Sequence, residues 1–483
     1  MNKRILAIIL SVTMVVASLT GCNTQSETGG NKPNNNQDSQ ATDNNDKDSE
    51  KDSESEKEPG LMLYDSLANM EPTPNSSFEY HEDGGQIVVT KLLDASTEML
   101  VFPEEIEGVP VGCIKIELKD YPNIKFVYLP EAGIEFSGLF QNAKSLVLVE
   151  FGKISKNMTF SETFSGCESL RRVLLPETDR RLVMISTFAG CSHLDKIELP
   201  RGVVSLGDNA FLGCERLETI TIPQYLTHLG EGVFENCTNL KSVTFLGELK
   251  ISMKERVFRN CISLTNVTLP NGITRMNGFE NCTSLETITI PESVTAIETR
   301  AFAGCTSLKE ITFPEKLQTI WPGAFSGCES LEIIIVEEGN SGYRSKDAQG
   351  NECNAVFREE TVVVFGVTSI LPDEITTIGG NAFVGNDTKL VIPDTITTIQ
   401  MDAFSDCDRL EEISLPNGLE KILTRAFKNC VNLKVVNIPD TVTKIGNSAF
   451  EGCTALEKIY VEKGSYAEQW AKDNGFESKL AYK

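Results

Sequence analysis

Phenylalanine recurs along this chain at a nearly fixed interval. Anchors stand at Phe140, Phe164, Phe188, Phe211, Phe234, Phe258, Phe279, Phe302, Phe325, Phe383, Phe404, Phe427 and Phe450. Apart from one gap of 58 residues, neighbouring anchors lie 21 to 24 residues apart. A unit this short cannot bury its own apolar face, so it must stack on copies of itself. The period therefore selects a solenoid, running from about residue 80 to 462. It also resolves a problem of size. A chain of 483 residues exceeds what one hydrophobic core usually spans, but in an array each unit packs only on its neighbours.

Inside each unit the pattern is regular. Cys follows Phe by three residues, Leu by six, Ile or Val by nine, and a further β-favouring apolar residue by eleven. One instance is Phe302, Cys305, Leu308, Ile311, Phe313, Pro314; another is Phe211, Cys214, Leu217, Ile220, Ile222, Pro223. Apolar alternation with period two marks a strand, and proline, lacking an N–H, closes it. A second extended piece, such as Val294-Thr295-Ala296-Ile297, precedes the next anchor. A degenerate unit at Leu118, Tyr121, Ile124, Val127, Leu129 and Pro130 brings the total to fourteen. Equivalent strands are expected to stack about 4.8 Å apart in one parallel sheet, giving a rod or gentle arc of roughly 65 Å.

The unit Ala301-Phe302-Ala303-Gly304-Cys305-Thr306-Ser307-Leu308 and its continuation resemble the BspA-like leucine-rich repeat family of bacterial surface proteins. The resemblance covers about residues 78 to 470. It implies a leucine-rich-repeat-type solenoid of short parallel β-strands and turns with a C-terminal capping helix. The stretch from Tyr343 to Phe365 and the tail from Gly464 to Gly475 also look like accessory pieces of that family. Its members are implicated in adhesion and in binding host or matrix proteins, and the family supplies no catalytic motif.

The remaining segments divide as follows. Lys3 and Arg4 precede a short apolar stretch ending in Leu19-Thr20-Gly21-Cys22. Residues 1–21 read as a secretion signal, and the sequence around Cys22 resembles a bacterial lipobox, with Cys22 lipidated. Residues 22–60 are polar. Positions 23–60 hold ten acidic and four basic residues, too little apolar surface to offset ordering entropy, so a disordered tether is expected. Residues 61–117 form an N-terminal segment and β-rich cap, with Gln86-Ile87-Val88-Val89 in it. Repeats occupy 118–336 and 372–462. An insert at 337–371, containing Asn354-Ala355-Val356-Phe357 and Val362-Val363-Val364-Phe365, is expected to add a β-hairpin. Residues 463–483 are a helical cap: Tyr466 and Trp470, like Ala467 and Ala471, stand at i, i+4 spacing, and the helix is expected to cover the open sheet edge.

Charge narrows the partners. The formal net charge is −25, and with no basic cluster such a surface repels nucleic acid, whose binding rests on Lys and Arg contacts to phosphate. Eleven of fourteen Cys sit three after an anchor Phe. No C-x-x-C pair exists, and the same slot holds Ala143, so the column reads as small buried free thiols rather than metal ligands or disulfides. Only three His occur (His81, His193, His228), and no hydrolase, zinc-protease or phosphate-loop motif is found. No enzyme activity, cofactor or metal is expected.

If positions nine and eleven after Phe point inward, eight and ten point out. Ten after Phe, a run of five threonines, Thr221, Thr244, Thr268, Thr289 and Thr312, is flanked by Glu198 and Ile335. Eight after Phe, the series includes Arg172, Lys196, Thr219, Thr287 and Ile333. This outer face, charged at one end, hydroxyl-rich in the middle and apolar near the insert, is the candidate ligand face. Thr also simply favours strands. The expected function is a monomeric, lipid-anchored surface protein that binds an extracellular or host protein or glycan. Two other readings are an envelope-assembly module with a partner from the same cell and, more remotely, an anchored hydrolase.

Overall fold

A computed structural model describes residues 66–483, except 95, 132, 133, 249–251, 367, 368, 386 and 387. The signal stretch, Cys22 and the polar tether lie outside the described residues. Each coil gives two short strands. The first alternates as its sequence does: in Thr219–Ile222 the threonines are exposed and Ile220 and Ile222 are buried. It pairs in parallel and in register with the next coil, Thr219 with Ser242 and Ile220 with Val243. The second strand, two residues in Ala296–Ile297, builds a second parallel ladder. Between them the anchor Phe enters a turn whose second residue past Phe is left-handed. Its φ is 60–62° at Asn236, Asn260 and Asn281 and 70–77° at Gly166, Gly190 and Gly213. Side chains with a Cβ resist that conformation, Asn least of all, which is why the column is so often Gly or Asn.

Packing follows from the period. From Phe164 to Phe325 successive anchor rings stack with centroids 5.1–5.5 Å apart. The Cys and Leu that follow each of these rings are buried beside them. Opposing charges link coils on the turn side, where Glu235 meets Arg256 at 3.1 Å and Glu280 meets Arg259 and Arg300 at 3.2 and 2.5 Å.

The one sheet expected from the period is in fact four. The first ladder is divided into segments of five, three, three and five strands. No strand pairing joins Lys196–Ile197 to Thr219–Ile222, or Asn266–Thr268 to Thr287–Thr289. The second break coincides with a coil of only 21 residues between Phe258 and Phe279. The threonine column is broken with it: Thr221, Thr244 and Thr268 are in register, and Thr289 pairs separately with Thr312.

The insert is larger than a hairpin. Arg344–Lys346, Glu352–Arg358 and Thr361–Phe365 form an antiparallel meander, and the last of these pairs in parallel with Thr377–Ile378 of the second ladder. Its two faces serve two cores. Val356 and Val364 pack into the apolar cluster of the N-terminal coils. Ala355, Phe357, Val362 and Phe365 pack into a separate cluster that runs to Trp470. The Tyr343 hydroxyl accepts the Ile320 N–H at 2.8 Å, a bond the next coil would otherwise make.

Both ends are closed. At the start, Phe78–Asp83, Gln86–Leu92, Val109–Ile114 and Glu105–Ile106 form a four-stranded sheet, and the first ladder already begins at Met99–Val101, paired with Phe126–Leu129. At the other end the helix Tyr466–Asp473 is capped by Ser465, whose side chain accepts the Glu468 N–H. The helix lies against Lys444–Ile445, the last strand of the second ladder, as expected of a cap. Its Trp470 extends the aromatic column 5.7 Å from Phe450 and stacks in turn on Phe476 at 5.4 Å, while Leu480–Tyr482 adds a last strand to the first ladder. Glu468 joins the two. Its carboxylate accepts from Lys472, the Gly464 N–H and the Tyr482 hydroxyl, contacts that hold its pKa down at about 2. Glu468→Gln is expected to release the final strand, read as faster amide exchange at Leu480–Tyr482. Because the carboxylate's folded pKa is depressed, wild type should show the same release as pH falls below 4.5 towards 2.

A cleft on the outer face of the solenoid

The structure places all twelve candidate residues on the outer side of the first ladder, at least partly exposed, but it does not bring them together equally. Four converge. Lys196 and Glu198 lie on one side of the first ladder break and Thr219 and Thr221 on the other, and together they line a cleft of about 520 Å³. Arg172 is the in-register neighbour of Lys196 one coil earlier. Thr244, Thr268, Thr287, Thr289 and Thr312 continue the face beyond the cleft. Ile333 and Ile335 lie in the final strand of the third ladder segment, beside Glu310 and Thr312.

The cleft's chemistry is balanced. Lys196 Nζ is 2.7 Å from Oε1 of Glu198, the residue just past its short strand, and Arg201 is 2.7 Å from Asp179 one coil back. Lys196 holds the Glu198 carboxyl below its ordinary pKa. Leu199, Pro223 and Leu246 supply apolar wall, and Leu246 is 61% exposed. A second hollow of about 580 Å³ adjoins the first, sharing Glu177 and Arg201 and reaching back to Gly152 and Lys153.

Sequence reasoning missed Glu177, Arg201, Gln224 and Leu246, since they lie in loops after the strands and not on the alternating face. A signal was present. In the Phe164 coil, Leu182 opens the second strand eighteen residues after the anchor; in the Phe188 coil, Val203 does so after fifteen, and the two are paired. The loops thus shorten abruptly between these coils, and the hollows lie at that step.

The coil geometry has a sequence counterpart. A profile of the BspA type leucine rich repeat region matches six copies, over residues 158–278, 273–347 and 376–471. The chain belongs to the BspA-type leucine-rich repeat family. A leucine-rich repeat protein from Bacteroides ovatus shares the fold at 22% identity and TM-score 0.50, over 84% of this chain and 98% of that one. A leucine rich cell surface protein from Faecalibacterium prausnitzii aligns over 83% of this chain and 96% of its own, at 23% identity and TM-score 0.35. No curated protein matches the chain in sequence.

BspA-type coils of this chain also explain their cysteines. In ten coils the thiol lies 2.9–3.3 Å from the carbonyl of the anchor Phe one coil back, to which it donates. The first anchor, Phe140, has no anchor before it, and its slot holds Ala143. All thirteen described cysteines are free. Among the described residues no group of three His, Cys, Asp or Glu is placed to hold a metal ion, and no helix is long and apolar enough to cross a membrane.

The start of the described chain also lies against this face. Ser66 Oγ donates to Glu150 at 2.7 Å and the Leu67 N–H to the same carboxylate; Glu150 stands ten after Phe140. Leu67 is fully buried, and Thr73 bonds to Val101. The outer side of the first strands is therefore occupied by the chain itself, and the open face begins near Arg172.

Proposed function

We propose that this BspA-type protein is a lipid-anchored bacterial surface receptor that binds an extracellular protein or glycan along the outer face of its first ladder. One observation carries the reading. Where the ladder breaks, four face residues from two coils converge on a cleft of about 520 Å³, a size typical of ligand sites. Beyond the cleft, from Thr244 to Thr312, the face carries mostly small hydroxyls. A rigid array suits binding through many modest contacts, because its coils lose little conformational freedom on association.

The whole protein in detergent, applied to arrays of matrix proteins and glycans, is expected to retain a defined subset. Filling the cleft with the double variant Thr219→Arg/Thr221→Arg should weaken that binding about tenfold or more, or roughly 1.4 kcal/mol. Unchanged binding would place the ligand face elsewhere. For the anchor, Cys22→Ala is expected to move the protein out of the membrane fraction; a variant that stays there rules out anchoring through Cys22.

A further inference from the structure

We infer that the cleft at the first ladder break is a subsite for a neutral, elongated oligosaccharide; this rests on reading the cleft as the ligand site. Its two cations are already paired. Two carboxylates, Glu177 and Glu198, face two cations, Lys196 and Arg201. Lys196 is paired with Glu198, and Arg201 with Asp179, both at 2.7 Å. An anionic ligand would have to break one of these pairs, while Glu177, which among the described residues accepts only the Arg201 main-chain N–H at 3.5 Å, is left as an acceptor for a ligand hydroxyl. A neutral polyol can use the pairs as they stand, donating to the carboxylate and accepting from the cation of one pair.

Hydrogen-bonding capacity continues along the wall. Thr219, Thr221 and Gln224 are exposed, and each side chain can both donate and accept. The main chain adds to them. In a parallel sheet alternate residues bond to opposite neighbours. The Ile222 carbonyl accepts from the Leu246 N–H at 3.0 Å, on the side of the next coil. The N–H and C=O groups of Thr219 and Thr221 therefore turn towards Lys196–Ile197, where no strand pairing is made.

Beside these groups stand Leu199, Pro223 and Leu246, with Tyr225, 58% exposed, on the same loop as Gln224. A sugar ring offers the matching surface, hydroxyls around its rim and C–H groups on its faces. Protein partners instead favour deep sockets for aromatic and Met anchors, and this cleft is open to solvent along its length. Its length points to a chain. The two hollows together run from the Phe140 coil to the Phe234 coil, four coil steps or about 19 Å.

The test uses the whole protein in detergent on a printed array of neutral linear oligosaccharides of graded length, sulfated and sialylated glycans, and short extended peptides. Neutral glycans are expected to bind, more tightly as they lengthen towards the span of both hollows, and with little change from low to high salt. Thr221→Val and Gln224→Ala should each weaken binding about fivefold, and Leu246→Arg should abolish it, with the thermal midpoint unchanged in all three. Binding of charged glycans only, or of peptides, that these variants abolish overturns the neutral-oligosaccharide assignment and leaves the cleft a ligand site. Binding of no probe, or binding indifferent to the variants, overturns both.

Discussion

Replacing Phe258 by alanine is expected to cost about 3–5 kcal/mol and to divide one unfolding transition into two. Its ring is fully buried and lies between Phe234 at 5.5 Å and Phe279 at 5.1 Å. In a stacked array stability is a sum of coil and interface terms. A cavity in mid-column therefore weakens two interfaces at once. The two tryptophans read the outcome separately. Trp321, 45% exposed, is tied to the N-terminal coils by its main-chain N–H on the Ile297 carbonyl, and Trp470 lies in the cluster beyond the insert. In urea the Trp321 signal should change first in the variant while Trp470 lags. The equivalent Phe450→Ala should act mainly on Trp470, its neighbour at 5.7 Å. Coincident Trp321 and Trp470 transitions in Phe258→Ala would contradict the two-core description.

The second large effect is alkaline lability. Burial pushes the thiols of Cys167, Cys305 and Cys407 up to about 12 from an ordinary 9.0. Cys191, Cys282 and Cys328 move the same way for the same reason. A thiol whose pKa is raised by folding contributes stability that is complete below the unfolded value. That contribution is lost as pH rises from 9.0 towards 12. Each such thiol removes about 1.4 kcal/mol per pH unit in that window, so three remove about 4 kcal/mol per pH unit, comparable within two units to a typical domain's stability. The urea midpoint should therefore fall steeply above pH 9.0. Ala143 shows that the slot's volume accepts alanine, so the triple variant Cys167→Ala/Cys305→Ala/Cys407→Ala, though it loses the thiol bonds of Cys167 and Cys305 and starts from a lower midpoint, should show a shallower fall. Equal slopes for the two proteins would remove the thiols as its cause.

Much of this molecule is legible in its residues because a repeat states the same physics many times. The Phe period fixes the coil, the alternation at positions eight to eleven fixes which side chains face out, and Cys three after Phe fixes a small buried slot. What the thiol bonds to was not legible, since its acceptor is the carbonyl of the preceding coil, 24 to 27 residues back. The insert was legible as strands but not as a wedge, because Val356 and Phe357 are adjacent residues that enter different cores.

The sequence by itself determined the solenoid, its in-register strands and the outward column of Arg172, Lys196, Thr219 and their successors, all of which follow from local periodicity. Tertiary structure alone decided where that column becomes a site. Five threonines with identical local signals became three and two, and a loop three residues shorter after Phe188 than after Phe164 opened a hollow beside Lys196 and Thr219. Whether neighbouring strands pair depends on how consecutive coils of unequal length fit against one another, a relation that no single coil contains.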